Sequence, residues 1–402
     1  MRRIAVCSFA RSEYGLLKRV ISLMSQQAET FLIAGGGHLD THSGYSMQEV
    51  LEDAILPESH LLKAPFAPSS GDATGAPKMV SSGLTVLTNL LNHHHFDAVM
   101  VMGDRYELFT VTIPALLLGI PVIHISGGEV TEGAIDDSIR HATTKLAHLH
   151  LVSNAVYAEN VSRMGEEDWR IVITGEPGLD NIHHGVFATD DELQSQYGLD
   201  PDKPLILVTY HPSTLEPGLS PADQCRPLVE ALKESDDYQV VITAPGADPG
   251  SHEIVRIMSA LAGSCPHVRY IPHLGSRNYL ALLRKAAVVA GNSSSGLVEA
   301  PSLKIPAVNI GNRQKNRMAA DSVIHCGYDT REILHAIREA TSAAHRELCT
   351  ITENPYDPFC DGNNSERAVK AALAFMNLPI RQQLVKKFDT ALSKHLWNQL
   401  LA

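Results

Sequence analysis

Paired cysteines are missing from this sequence. Its six cysteines, Cys7, Cys225, Cys265, Cys326, Cys349 and Cys360, are scattered, and none stands in a Cys-x-x-Cys pair. That spacing excludes a zinc ribbon or a small disulfide framework and fits a reducing, cytoplasmic setting. Long apolar runs are missing too, since no stretch approaches the roughly 20 residues that cross a bilayer. The opening "MRRIAVCSFARSEYG" lacks the longer apolar stretch and cleavage site of a signal peptide and reads as a first strand. Positive charge is in deficit: 33 Lys and Arg stand against 45 Asp and Glu, a formal net charge of −12. This balance argues against nucleic acid and anionic membrane as partners. It leaves room for an anionic small ligand, because the field inside a cleft can oppose the global charge.

What the chain does have is alternation. Its 402 residues exceed the usual size of one core, so two domains are expected. Short apolar runs at 3–9, 30–36, 97–103, 121–128, 149–153 and 170–175 are separated by amphipathic stretches of helix length. Such βαβ alternation predicts a parallel sheet covered on both faces. A polar segment at 188–204, with Gly198 and two prolines, marks a boundary. Six more runs follow, at 205–210, 238–245, 268–274, 286–291, 306–311 and 322–327. The fold class is therefore α/β, with two Rossmann-like doubly wound domains facing across a cleft. They span 1–190 and 191–365, and helices over 366–402 pack back on the body or a partner. The whole of "LPIRQQLVKKFDTALSKHLWNQLLA" reads as helical.

Ligands of such sheets sit at the carboxyl ends of the strands, and polar groups gather there. In the first half these are Arg11, Asp104, Arg105 and Glu129, with Asp136 and Asp137 just beyond. Several acids in one cleft raise one another's pKa, so one can act as a base and another as an acid. Asp104 could instead simply pair with an arginine. Asp136 with Arg140, and Asp137 with His141, could be i,i+4 surface pairs. In the second half the strand ends carry His211 and the run "GNSSSGLVEAP", with Arg313 and Arg317 further on. Three serines between glycines, leading into an apolar helix pattern, suit phosphate held by hydroxyls and backbone N–H groups; the alternative is a polar turn and helix cap. The triplet His93–His95 invites a metal reading but stands at the amino end of its strand, away from these groups.

The motifs "ARSEYG", "GDRYE", "HISGGEVTEGAIDDSIRHATTKLAHLHL", "HPST", "GNSSSGLVEAPS", "NIGNRQKNR" and "NPY…DGN" occur in that order. Over nearly its whole length the chain resembles the hydrolysing UDP-N-acetylglucosamine 2-epimerases of bacterial sialic-acid and related nonulosonate pathways. The resemblance implies a glycosyltransferase-B-like fold, a homodimer or homotetramer, a UDP-sugar ligand and no metal or other cofactor. It makes Ser293 and Ser294 diphosphate contacts and Glu299 the acceptor for a ribose hydroxyl. His211 and Arg11 hold the departing diphosphate, with His211 counted among the catalytic group, and Arg105 and Arg313 belong to the same cationic set. Asp104, Glu129, Asp136 and Asp137 face the sugar. The implied reaction is elimination of UDP followed by hydration of a glycal, giving ManNAc from UDP-GlcNAc. The same motifs serve UDP-N,N′-diacetylbacillosamine. A non-hydrolysing epimerase, a glycosyltransferase and a simple binding module are the competing readings.

Two departures from the family pattern stand near the expected ligand. Ser8, Phe9 and Ala10 replace a Thr-Gly-Thr run, and Pro245, Gly246, Ala247 and Asp248 replace Pro-Asn-Ala-Asp. Phe9 adds bulk and Gly246 removes a polar group, a slight lean toward a less polar sugar. The loops from His38 to Tyr45 and from Thr131 to Ala134 are candidates for the wall that reads C4 and C6.

Overall fold

The computed structural model describes residues 1–40, 45–66, 74–246, 248 and 250–388. Among them lie two wholly parallel sheets, of seven and six strands. The chain divides into two compact units. One comprises Met1–Glu129, Asp136–Asn181 and the chain from Tyr356 onward, the other Val130–Ile135 and Ile182–Pro355.

The first sheet holds β1 (Arg3–Ser8), β2 (Glu29–Gly35), β3 (Leu61–Ala64), β4 (Ala98–Met102), β5 (Val122–Ile125), β6 (Leu149–Val152) and β7 (Ile171–Ile173). Their order is β3-β2-β1-β4-β5-β6-β7, so the winding reverses between β1 and β4. Along β1, Ile4 and Val6 enter one core while Ala5 and Cys7 enter the other. This is the period of two expected for a strand buried on both faces. Six of these strands coincide with the apolar runs. β3 went unpredicted because it is four residues long and largely half-buried, with no apolar run to announce it.

The second sheet holds β8 (Leu205–Thr209), β9 (Gln239–Thr243), β10 (Val268–Tyr270), β11 (Ala286–Gly291), β12 (Ala307–Ile310) and β13 (Val323–Cys326). Its order is β10-β9-β8-β11-β12-β13, with the reversal between β8 and β11. Leu205 and Leu207 face one core, Ile206 and Val208 the other.

Helix Asn364–Met376 lays Ala368, Val369, Ala372, Phe375 and Met376 into the core of the first unit. Its first turn is capped from a distance: the buried Asp180 carboxylate accepts from the backbone N–H groups of Asn364 (3.0 Å) and Ser365 (2.6 Å). The continuous helix expected over 378–402 stops early. Only Ile380–Leu384 is helical, Val385–Phe388 is not, and residues 389–402 fall outside the described ones. Arg170 supplies the reason. Its fully buried guanidinium donates to the carbonyls of Gln382, Gln383 and Val385, each at 2.8 Å, so those acceptors are spent. Among the described residues no helix is long and apolar enough to cross a membrane.

Candidate active site

The first unit gathers its charged groups where its sheet reverses. β1 ends at Ser8, and Phe9 then turns into the core, fully buried, its ring 5.8 Å from that of Phe66. The large residue at this position therefore fills protein interior. Helix Arg11–Ser25 begins two residues later. Its Glu13 reaches back to accept from the N–H groups of Phe9 (2.7 Å) and Ala10 (3.1 Å). Arg11 is held by Glu49 at 2.8 Å, and Glu49 is shared with Lys18 at 2.9 Å. Those partners draw the Glu49 carboxyl below its usual range even though burial opposes them. Among the described residues no hydrogen bond or ion pair joins Arg11 to Asp104.

β4 ends in Gly103, whose φ of +81° turns the chain. His124, on β5, fixes that turn: its Nε2–H donates to the Gly103 carbonyl (2.8 Å), while Nδ1 meets the Thr144 hydroxyl (3.2 Å). Burial pushes this imidazole down to about 3, so it stays neutral. Asp104 follows and pairs with Arg140, which is 1% exposed. The same guanidinium donates to the Glu129 carbonyl at 3.0 Å. Arg140 thus ties Asp104 to the Glu129 main chain. Asp136 and Asp137 open helix Asp136–Leu146, and Asp137 stands 3.5 Å from His141, the pair its spacing suggested. Glu129 is 1% exposed. Arg105 bonds Glu107 at 2.6 Å and faces Glu13 at 3.8 Å.

In the second unit the organising residue is Asn292, fully buried. Its side chain accepts from the His211 N–H (2.7 Å) and donates to the His211 carbonyl (2.8 Å). Its own carbonyl accepts from Arg313 (3.2 Å) and Gln314 (2.9 Å). One asparagine thereby gathers the ends of β8, β11 and β12. Gly291 makes this possible: a Cβ there would lie 2.1 Å from the Thr209 carbonyl oxygen, and its φ is +139°. The Nδ1 of His211 accepts from the Gly246 N–H at 3.2 Å, and Asp248 lies 3.6 Å from the same nitrogen. In the neutral ring, Nε2 then carries the proton.

Ser293 and Ser294 follow, both half-buried. The apolar helix expected after them is only Ser295–Val298, because Pro301 opens a separate 3-10 turn. Glu299 caps the end of that short helix, and burial raises its carboxyl pKa, with the Ser295 hydroxyl pulling the other way. Tyr279 donates to the Ser295 hydroxyl at 2.6 Å. The segment Val130–Ile135 belongs to this unit. Its Gly133 carbonyl accepts from the Leu215 N–H (3.3 Å), and its Ile135 N–H donates to Thr214 (3.1 Å).

Sequence reasoning overlooked Asn292, His124, Glu13 and Tyr279. Asn292 and Glu13 lie inside motifs singled out above, yet asparagine between glycine and serine looks like an ordinary turn. His124 and Tyr279 carry no local signal, because their partners are distant in sequence. The His93–His95 triplet ends helix Gly75–His94, with the His94 ring stacked on Phe96 at 5.7 Å. Among the described residues no group of three or more His, Cys, Asp or Glu is placed to hold a metal.

The family model for UDP-N-acetylglucosamine 2-epimerase matches residues 22–373. The chain belongs to the UDP-N-acetylglucosamine 2-epimerase family. A relative from Legionella pneumophila, UDP-N,N′-diacetylbacillosamine 2-epimerase (hydrolyzing), is 31% identical across 96% of this chain and 99% of its own. The Neisseria meningitidis UDP-N-acetylglucosamine 2-epimerase is 31% identical across 85% of this chain and 88% of its own. Among solved epimerase structures, UDP-GlcNAc 2-epimerase from Neisseria meningitidis bound to UDP-GlcNAc superposes with a TM-score of 0.77. It is 19% identical and covers 93% of this chain and all of its own, a likeness of glycosyltransferase-B-like fold.

Proposed function

We propose that this epimerase-family protein hydrolyses UDP-GlcNAc to UDP and ManNAc. The observation that carries the reading is the Arg140 bridge, which brings the Asp104 carboxylate to the Glu129 main chain at the carboxyl edge of the first sheet. In this mechanism one carboxylate takes the proton from C2 as the C1–O bond breaks, releasing UDP and leaving a 2-acetamidoglycal. A second acid returns a proton to C2 on the opposite face while water adds at C1. Asp104, Glu129, Asp136 and Asp137 supply the acids and bases. Ser293, Ser294, His211, Arg11, Arg105 and Arg313 take the diphosphate, where donors aimed at the departing charge stabilise it. Glu299 takes the ribose.

UDP-N,N′-diacetylbacillosamine is the second reading, favoured by the name of the Legionella relative, which matches nearly end to end. The two sugars share C1 and C2, so the acid–base groups serve both. Phe9 offers no discrimination, being buried against Phe66. His38 is also fully buried, with both ring nitrogens engaged by Ser8 and Ser46, each at 2.8 Å. It can shape a sugar wall only through its neighbours. Side-by-side kcat/KM for the two donors tests the choice. A hundredfold preference for the diacetamido donor would replace the first reading and leave the chemistry intact.

A further inference from the structure

Asp104 and Arg105 are adjacent, and their ion pairs run to different elements. Asp104 pairs with Arg140 of helix Asp136–Leu146. Arg105 reaches Glu107 (2.6 Å) beside it and Glu13 (3.8 Å) on helix Arg11–Ser25. The backbone under them is a glycine turn around which packing is open: a Cβ on Gly103 would meet nothing within 4 Å. His124 fixes the Gly103 carbonyl, and the next two side chains are tied to these charged partners.

We propose that Glu13 is a positioning residue for the Asp104 loop, acting through Arg105. The inference rests on the reading of Asp104 given above. Glu13 is 8% exposed and Glu107 1% exposed, so two buried carboxylates share one guanidinium. Glu13 spends Oε2 on the Phe9 and Ala10 N–H groups. Its Oε1 is buried, makes no hydrogen bond and faces Arg105. Among the described residues, the charged or titratable groups around it are Arg105 and Glu107 from the β4 loop and Cys7 from β1, with His38 beyond Arg105. Burial raises the Glu13 carboxyl to about 7 against the pull of Arg105, whereas burial lowers His38 to about 4 and raises the Cys7 thiol far out of range. Among these groups, Glu13 changes charge near neutrality. Ionised, it holds Arg105 toward β1; protonated, it lets go.

The test is kcat and KM for the wild type, Glu13→Gln, Arg105→Gln and the double variant, at pH values on both sides of about 7. Glu13→Gln keeps an oxygen for the Phe9 and Ala10 N–H groups and mimics the protonated acid. Above that pH its kcat should fall roughly tenfold, the scale of a small misalignment. Below it, the wild type and variant should converge. The double variant should lose no more than the larger single loss. Wild-type kcat in Glu13→Gln above that pH, an equal loss at every pH, or losses that multiply would each overturn the proposal. Carboxyl ¹³C titration of Glu13 supplies a readout independent of turnover and of the Glu13 variant. The midpoint should rise in Arg105→Gln, and an unmoved midpoint would also overturn the proposal. Absence of UDP release by the wild type would refute the assigned reaction and leave the titration to judge the Glu13–Arg105 contact.

Discussion

At the scale of single residues, charge pairing decides what each side chain can do. Asp104 is aimed by Arg140, and the amide introduced by Asp104→Asn could neither take a proton nor form the ion pair. Turnover in Asp104→Asn and in Glu129→Gln should fall at least about 10²-fold, the usual weight of an acid–base group. Calorimetric UDP affinity should survive, since the proposed reaction assigns these residues to the sugar and not to the nucleotide. Near-normal turnover in either variant would remove that residue from the mechanism. In the second unit, Asn292→Ala would leave the His211 N–H and carbonyl without their partner. Losing these two part-buried hydrogen bonds costs roughly 1–3 kcal/mol together. The melting temperature and UDP affinity should both drop, and an unchanged UDP affinity would show that the β8 end has no part in binding. Asp104 and His211 were legible in sequence because each stands just past an apolar run. Arg140 was legible only as a neighbour of Asp136, because local spacing does not reveal a partner 36 positions away.

At the scale of elements, two short segments are held by contacts no local pattern announces. Gly133 sits so close to unit-two backbone that a Cβ would lie 2.0 Å from the Asn312 carbonyl oxygen. Gly133→Ala must therefore displace Val130–Ile135, which is flanked in sequence by Glu129 and Asp136. Turnover should fall more than UDP affinity, and an equal fall in both would place the segment in nucleotide binding instead. The C-terminal chain is held by Glu166, a 1% exposed carboxylate bonded to Lys386 (2.8 Å), His150 (3.0 Å) and Lys145. These partners lower it from an ordinary 4.5 to about 2, against the cost of burial. A depressed carboxylate stabilises the fold above its unfolded pKa, and that contribution is lost as pH falls through the folded value. Glu166→Gln should lower the melting temperature near neutrality and flatten its decline between about 4.5 and about 2. An unaltered acid profile would show that Glu166 is not the titrating group. Every strand but β3 was legible from an apolar run, and the early end of the last helix was not legible at all. The first has too little apolar sequence, and the second is set by Arg170 from far along the chain.

At the scale of the whole molecule, a net charge of −12 is compatible with the proposed anionic ligand. The arginines of the first unit's strand ends are balanced locally: Arg11 by Glu49, Arg105 by Glu13 and Glu107, Arg140 by Asp104. For Arg11 and Arg105 to take a diphosphate, the ligand must compete with these carboxylates, which ties binding strength to ionic strength. The fold class was readable from alternation alone and the family from ordered motifs. The difference between hydrolysis and simple epimerisation lies in whether UDP leaves for good. Proton NMR of UDP-GlcNAc incubated with the protein alone in heavy water tests that point most directly. Free UDP and ManNAc carrying one deuterium at C2 are expected, with no acceptor required. A free sugar that keeps its C2 proton, or a C2-inverted sugar still attached to UDP as the end product, would contradict the proposed reaction.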